Sequence, residues 1–586
     1  MDIEVNKMEL SIEEYRLTKN LSYRILEKNN EIVKIEFRKN SEVTEIKEYK
    51  YINTYEIYRK IYSEEKVDLS NCYVEDFSLS KYRKYIGADR VDEVYIKEFM
   101  AKETFFVSDE YIDFSIVKFE QKRVVFRDSI FAKGKVNFDK ANFGEGNVCF
   151  NNVNFGKGSV DFKEVNFGEG NVCFDKANFG EGQVRFDKAN FGDGNVSFRM
   201  AKFGKEYVDF MSSNFGKGNV YFGLAKFGEE TVNFRNVNFG EGNVYFDNVN
   251  FGKGNVDFCV SKFGKGDADF SNVNFGEGNV DFKKVNFGEG NVNFNNVNFG
   301  DGNIYFNKAK LEKGEIDFQN ASFGKNNIFF HDVRFGEGNI RFNNSDLSTA
   351  NIEFSDCKFE NDVDFRFKSC KSLNLKDITN KQTMNFRFEN NKPLKWFKFK
   401  NLINYGRIEI DLKQSNFKNL INKQNSTYKE KADQFLILKE NFNNLGQYDD
   451  EDEAYVEFKR CERRSRYTTF TRKLNPLYWV EVMLFDWVGA YGTKPYNVLC
   501  TMLLTIIGFA TSYLYIPTMC INFDNSKITN EIVKAIYYSG ITFLTIGYGD
   551  ISPQNEITAM TSVIEGFLGI FLMSYFTVSF VRKLLR

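Results

Sequence analysis

At 586 residues the chain exceeds what one hydrophobic core can serve, so more than one domain is expected. Lys plus Arg number 79 against 81 Asp plus Glu, a formal charge of −2, which argues against a nucleic-acid binder driven by counterion release from a cationic face. Nine Cys without a C-x-x-C pair and a single His, His331, argue against a zinc site; the thiols read as free in a reducing cytoplasm.

Met1 to Leu10 carries acids and no apolar core, so no secretory signal is read there. Residues 1–65 mix charged and aromatic residues without a period and are expected to form a cap or a small separate domain. Residues 66–360 are expected to form one solenoid, with degraded copies first and regular repeats over 124–359. Phe stands at 126, 138, 150 and every twelfth position to 354. Two residues before each stands Val or Ile, with Ala268 the exception; five after comes a second Phe, replaced by Leu311 and Leu347. Val-x-Phe puts both side chains on one face of a strand. The Gly-x-Gly-Asn segment that usually completes a copy tolerates the positive φ of a tight corner. A dinucleotide-binding reading of those glycines fails, since the third Gly and the following helix pattern are missing. One apolar set per copy indicates a solenoid whose stacked copies share a core.

The unit Ala141-Asn-Phe143, with Phe138 five residues earlier, resembles the pentapeptide-repeat family. The resemblance implies a right-handed, four-sided parallel β-helix with the ring and the small residue inside. The ring spacing here alternates five and seven, which implies 24 residues per coil instead of 20. The charges between the glycines, from Glu145 to Asp301, test this. At separation twelve, 6 of 13 pairs are opposite in sign; at twenty-four, 9 of 12 are. Stacked neighbours avoid like charges, so two copies per coil fits better. Ten coils at about 4.8 Å would span roughly 50 Å. Duplex mimicry, a reading taken from the same family, needs a strongly acidic face, whereas acids and lysines alternate along this corner.

Residues 361–425 are polar with strand-like fragments and are expected to be an irregular solenoid end. Within the helical linker 426–475, Ala432, Phe435, Leu438, Phe442 and Leu445 mark one helical face, which Gly446 stops; Ala454, Tyr455, Phe458 and Cys461 mark a second. The pair resembles a tetratricopeptide-type hairpin, and a plain linker explains it equally well.

From 476 the apolar character rises. Tyr478-Trp479-Val480 and Phe485-Asp486-Trp487 suit an interfacial helix. Val498 to Ile516 holds nineteen residues without a charge, enough to span a bilayer, and 557–581 is a second span interrupted by Glu565. Between them, 530–550 ends Thr545-Ile546-Gly547-Tyr548-Gly549-Asp550. This arrangement resembles the two-transmembrane-helix potassium channels, whose filter reads Thr-Val-Gly-Tyr-Gly; here Ile546 replaces Val, at a position where the carbonyl faces the ion. The resemblance covers residues 495–586. It implies an all-α pore domain with a re-entrant loop, assembled as a homotetramer. Potassium, as transported ion rather than cofactor, would meet carbonyls of Thr545, Ile546, Gly547 and Tyr548, with the Thr545 hydroxyl adding a ring at the inner end. Successive carbonyls face inward only if backbone handedness alternates, which Gly547 and Gly549 permit. Residues 532–543 would be a short pore helix with its negative dipole end towards the ion.

Glu565 is read first as structural support behind the filter and second as a functional acid. Gly566 and Gly569 are hinges or small residues for close packing, and Phe576 and Phe580 are candidates for a hydrophobic gate. Seven basic residues from Lys459 to Lys473 precede the first span, and Arg582, Lys583 and Arg586 follow the second; only Lys527 and Lys534 lie between. The positive-inside rule therefore places both termini and the solenoid in the cytoplasm of a multi-pass protein of the cell membrane. No span carries a voltage-sensor pattern of Arg, and no nucleophile–base set points to an enzyme. The expected function is passive, potassium-selective conduction, with an unknown cytoplasmic protein or ligand at the solenoid and no nucleic acid. The alternative is a membrane-anchored interaction solenoid with a vestigial pore.

Overall fold

A two-residue Val-x strand cannot satisfy its own backbone, so each copy depends on the copies stacked on either side. The computed structural model describes residues 15–16, 21–388, 394–412, 416–467, 474–516, 521–523 and 528–585. It divides into two compact units, Met1–Leu420 and Ile421–Arg586.

In the first unit, Val136 pairs in parallel with Val160, and Val160 with Val184. The intervening copies form their own ladder, Val148 on Val172 on Val196. Through the regular repeats each step is twenty-four residues, so two copies make one coil, the arrangement that the charge pattern favours. The corner charges meet at that spacing: Lys217 lies 2.5 Å from Asp193 and Lys313 2.7 Å from Glu289. Exposed pairs of this kind contribute little energy but keep the register free of like-charge contacts.

The rings explain the Phe count. Phe138 stacks on Phe162 with centroids 4.8 Å apart and planes 2° from parallel. Phe126, from the other ladder, meets Phe138 edge to face at 5.4 Å and 89°. The coil repeat thus equals the spacing at which parallel rings pack, and the two ring columns present edges to faces across the core. Asn side chains form ladders outside: Asn190 Nδ2 donates to Asn166 Oδ1 at 3.2 Å, and Asn214 Nδ2 to Asn190 Oδ1 at 3.1 Å.

Corners use two devices. Gly168 has φ +76°, and a Cβ there would fall on the Gly144 carbonyl, so this corner demands glycine twice over. The second corner lies two residues after the first Phe, where Lys140 (φ 57°), Asn152 (φ 56°) and Glu164 (φ 54°) are left-handed without being glycine. The ladder offsets that strain: the Lys140 amide donates to the Lys163 carbonyl at 2.9 Å.

The ladder outruns the regular repeats. It holds 15 strands, from Val67–Asp68 to Arg407–Glu409, more than the ten coils that ring spacing alone marks. Beyond 360 the Phe period is lost, yet Leu373 still pairs with Phe397 and Met384 with Ile408. Backbone pairing tolerates any apolar residue at the inward sites, so the coil survives where the motif does not. The N-terminal end is covered by an antiparallel meander, Leu21–Lys28, Ile32–Lys39 and Glu42–Ile52, whose last strand joins the solenoid sheet through Lys50 opposite Cys72. Tyr23, Val33, Ile35 and Tyr49 pack there against Tyr73 and Phe105. Helices α1 (Thr54–Tyr62) and α2 (Leu79–Ile86) flank this cap, with Asn53 and Ser78 as N-caps. A short helix, α3 (Phe417–Lys423), begins with Phe417 packed 4.8 Å from Phe397.

The second unit is helical. α4 (Tyr428–Asn444) opens with a capping box between Thr427 and Glu430, and α5 (Tyr448–Arg466) returns against it after Gly446 at φ 69°. α6 (Pro476–Glu481) runs into a π-helical turn, Val482–Trp487. Then come α7 (Pro495–Tyr515), α8 (Glu531–Phe543) and α9 (Glu556–Leu584), with Ile521–Phe523 paired antiparallel to Ile551–Pro553.

Phe186 is fully buried, with parallel rings of Phe162 and Phe210 each 4.9 Å away. Phe186→Ala is expected to cost about 3–5 kcal/mol. In the full chain this should appear as a lower urea midpoint of the β-sheet circular dichroism signal, with an unchanged midpoint counting against the ring column as core.

Candidate ion pathway

The loop after α8 begins where the helix runs out of partners. Asn530 caps its start, accepting from the Ile532 amide at 3.0 Å, and the Leu544 amide closes its end on the Gly540 carbonyl. The negative end of the helix dipole therefore lies at Thr545. From there, left-handed residues alternate: Thr545 has φ 58°, Gly547 54° and Gly549 79°, whereas Ile546 and Tyr548 keep negative φ. Glycine was expected to supply this freedom; Thr545 supplies it as well, at the steric cost a Cβ imposes.

Alternating handedness is what lets successive carbonyls face one side. Among the described residues, no hydrogen-bond donor reaches the carbonyls of Thr545, Ile546, Gly547 or Tyr548. The Thr545 hydroxyl donates to the Leu544 carbonyl at 2.7 Å, which leaves its own lone pairs available. Ile546 is 48% and Tyr548 69% exposed in the single chain.

Behind the loop the supports are dense. Tyr537 donates its hydroxyl to Asp550 Oδ2 at 2.8 Å, tying the far end of the loop back to α8. Glu565 on α9 is fully buried and accepts from the Tyr513 hydroxyl of α7 at 2.8 Å and from the Ser539 hydroxyl of α8. Tyr538 and Ser562 add a hydroxyl pair at 2.8 Å. One carboxyl group thus joins all three helices. At Gly569 a Cβ would collide with the Phe543 carbonyl, so the glycine there permits α9 to touch the end of α8. Gly566 sits one turn earlier at ordinary contact distance from the Thr542 carbonyl, 3.7 Å from where its Cβ would be.

The fold therefore gathers Glu565, Gly566 and Gly569 against α8, the helix that leads into residues 545–550. It does not bring Phe576 and Phe580 there: they lie about 10 and 16 Å further along α9 at 1.5 Å per residue, stacked on one face with centroids 5.6 Å apart. Sequence reasoning overlooked Tyr513, Tyr537, Tyr538, Ser539 and Ser562. The available signal was hydroxyl groups inside otherwise apolar helices, where each requires a partner.

The flanking helices have the dimensions of membrane spans. α7 has 21 residues and α9 has 29, both apolar and mostly uncovered, with Leu504 and Phe567 among the exposed side chains. At 1.5 Å per residue these reach about 31 and 43 Å, against a hydrocarbon core of about 30 Å.

No curated protein and no solved structure matches the chain. Residues 500–586 match a family model described as Ion channel. The C-terminal part of this chain therefore carries an ion channel domain, and the two helices that flank the loop are long and apolar enough to cross a membrane.

Proposed function

We propose that the chain is the subunit of a potassium-selective channel, conducting passively through a pore made by four copies. The observation that carries this reading is a run of four carbonyls, 545–548, that no donor among the described residues reaches, on a backbone that alternates in hand. In a membrane, a carbonyl without a partner is costly unless it lines an aqueous or ionic path. A potassium ion loses its hydration shell only where oxygens replace it. One chain supplies one column of oxygens, and closed symmetry around an axis supplies the remainder. The Thr545-Ile546-Gly547-Tyr548-Gly549-Asp550 segment would be the filter. The Tyr537–Asp550 bond and the Glu565 junction would hold its spacing, since a filter that relaxed onto a smaller ion would lose selectivity.

The basic flanks of the two spans support an arrangement with both termini and the solenoid in the cytoplasm. There the solenoid would serve as a regulatory or assembly arm. The competing reading, an anchored solenoid with a vestigial pore, differs in one observable, single-channel current.

Purified protein in planar bilayers with potassium on one side and sodium on the other should reverse near the potassium equilibrium potential. Reversal near zero would remove the selectivity claim. Gly547→Ala and Tyr548→Ala should abolish the current; Gly547→Ala places a Cβ at φ 54°. Deleting residues 1–420 should leave potassium flux in vesicles intact, and loss of both assembly and flux would show that the solenoid is required. Glu565→Ala removes the acceptor from two buried hydroxyls and should cost about 2 kcal/mol or more. Glu565→Gln, which keeps one acceptor oxygen, should lower the melting temperature in detergent less than Glu565→Ala does.

A further inference from the structure

Helix α5 carries opposite charge at its two ends, and each end holds a different part of the channel domain. Near its start, Asp452 lies 3.2 Å from Arg582 and 3.1 Å from Lys583, while Glu451 lies 3.5 Å from Arg582. The Arg582 guanidinium also stands over the Tyr455 ring, 4.3 Å from its centroid. Glu451 and Asp452 are 2% and 7% exposed, so the acidic side of these pairs is withdrawn from water, while Arg582 is partly and Lys583 more fully exposed. Their partners form the last turn of α9.

Towards its other end, α5 holds the segment that leads into α7. Arg460 and Arg463 converge on Asp486, each at 2.8 Å, with Arg463 and Asp486 buried. Burial pushes the Asp486 carboxyl up, but hydrogen bonds from Arg460 and Arg463 outweigh it and hold it below the usual carboxylate range. Arg466 adds a pair with Glu481 at 2.7 Å. That segment in turn meets α9: the Tyr575 hydroxyl donates to the Phe485 carbonyl at 3.1 Å, and Gly489 has no room for a Cβ against the Tyr575 ring.

Phe576 and Phe580 therefore stand on the stretch of α9, from Tyr575 to Lys583, that is gripped from both sides. Buried charged contacts have discrete made and broken states, because a half-separated pair leaves desolvated charge. Such contacts suit a switch better than a hinge does.

We propose that α5 is a gating coupler. It is anchored on the membrane-surface segment through Asp486 and grips the cytoplasmic end of α9 through Arg582 and Lys583. A displacement of the α4–α5 hairpin is thereby converted into movement of the Phe576 and Phe580 turn and into a changed open probability. This rests on the channel reading above.

The test is single-channel recording from the full-length protein in bilayers. Asp452→Lys and Arg582→Asp should each shift open probability at least fivefold, in the same direction. The double variant restores that one pair with its charges exchanged but leaves Lys583 and Glu451 each beside a like charge, so it should return part of the way to the parent and lie closer to it than either reversal alone. Asp452→Asn and Arg582→Gln, which add no repulsion, should shift it in that direction by a smaller factor and cover the case in which a reversal fails to assemble. Glu462→Gln, on the same helix but paired with Lys459, should leave it unchanged. Unit conductance and reversal potential should stay constant throughout, which separates coupling from damage to the filter. Parent protein that conducts while all four Asp452 and Arg582 single variants keep its open probability overturns the coupler alone. Parent protein without current overturns the channel reading, and the coupler with it.

Discussion

A backbone carbonyl must have a partner once water is withdrawn, and this chain meets that constraint in two opposite ways. In the solenoid nearly every inward turn hands its carbonyl to the adjacent coil, as Asp161 does to the Phe138 amide at 2.7 Å. In the loop after α8 the same group meets no donor among the described residues at four successive positions. The first arrangement gives a body that stacks without limit. The second gives a short segment whose side chains Ile546 and Tyr548 stay exposed in the single chain.

The solenoid's energetics follow from that stacking. Strands of two residues contribute little alone, and the ring columns supply the cohesion, each Phe touching parallel rings above and below and ring edges across the core. Because each coil meets only its neighbours, stability is distributed along the array instead of centred in one core. Local strain at the left-handed Lys, Asn and Glu corners is tolerated for the same reason: every strained corner is backed by ladder hydrogen bonds on both sides.

The loop relies on preorganisation, because its own contacts are few. Glu565 joins α7, α8 and α9 through hydroxyl groups, and Gly569 brings α9 onto the end of α8. Tyr537 fixes Asp550 at the other end of the loop. The hydrogen bonds that hold the loop therefore come from α7, α8 and α9, and Ile546 and Tyr548 are left exposed in the single chain.

Much of this was legible without coordinates. A strict twelve-residue spacing of Phe, with Val or Ile two before it in all copies but one, admits one strand face per copy, and the corner charges at twenty-four favour two copies per coil. Two apolar stretches on either side of Thr545–Asp550, the first without a charge and the second with Glu565 alone, suggest a membrane domain, because length and apolarity coincide. Other features were decided only in three dimensions. Coils beyond 360 persist because backbone pairing does not read ring identity. The left-handed state of Thr545 and Lys140 follows from the turn each must complete, which composition does not disclose. Glu565 meets Tyr513, and Asp452 meets Arg582, across separations of 52 and 130 residues. Pairings of that kind are set by which helix faces touch, and periodicity along one helix carries no information about its neighbour.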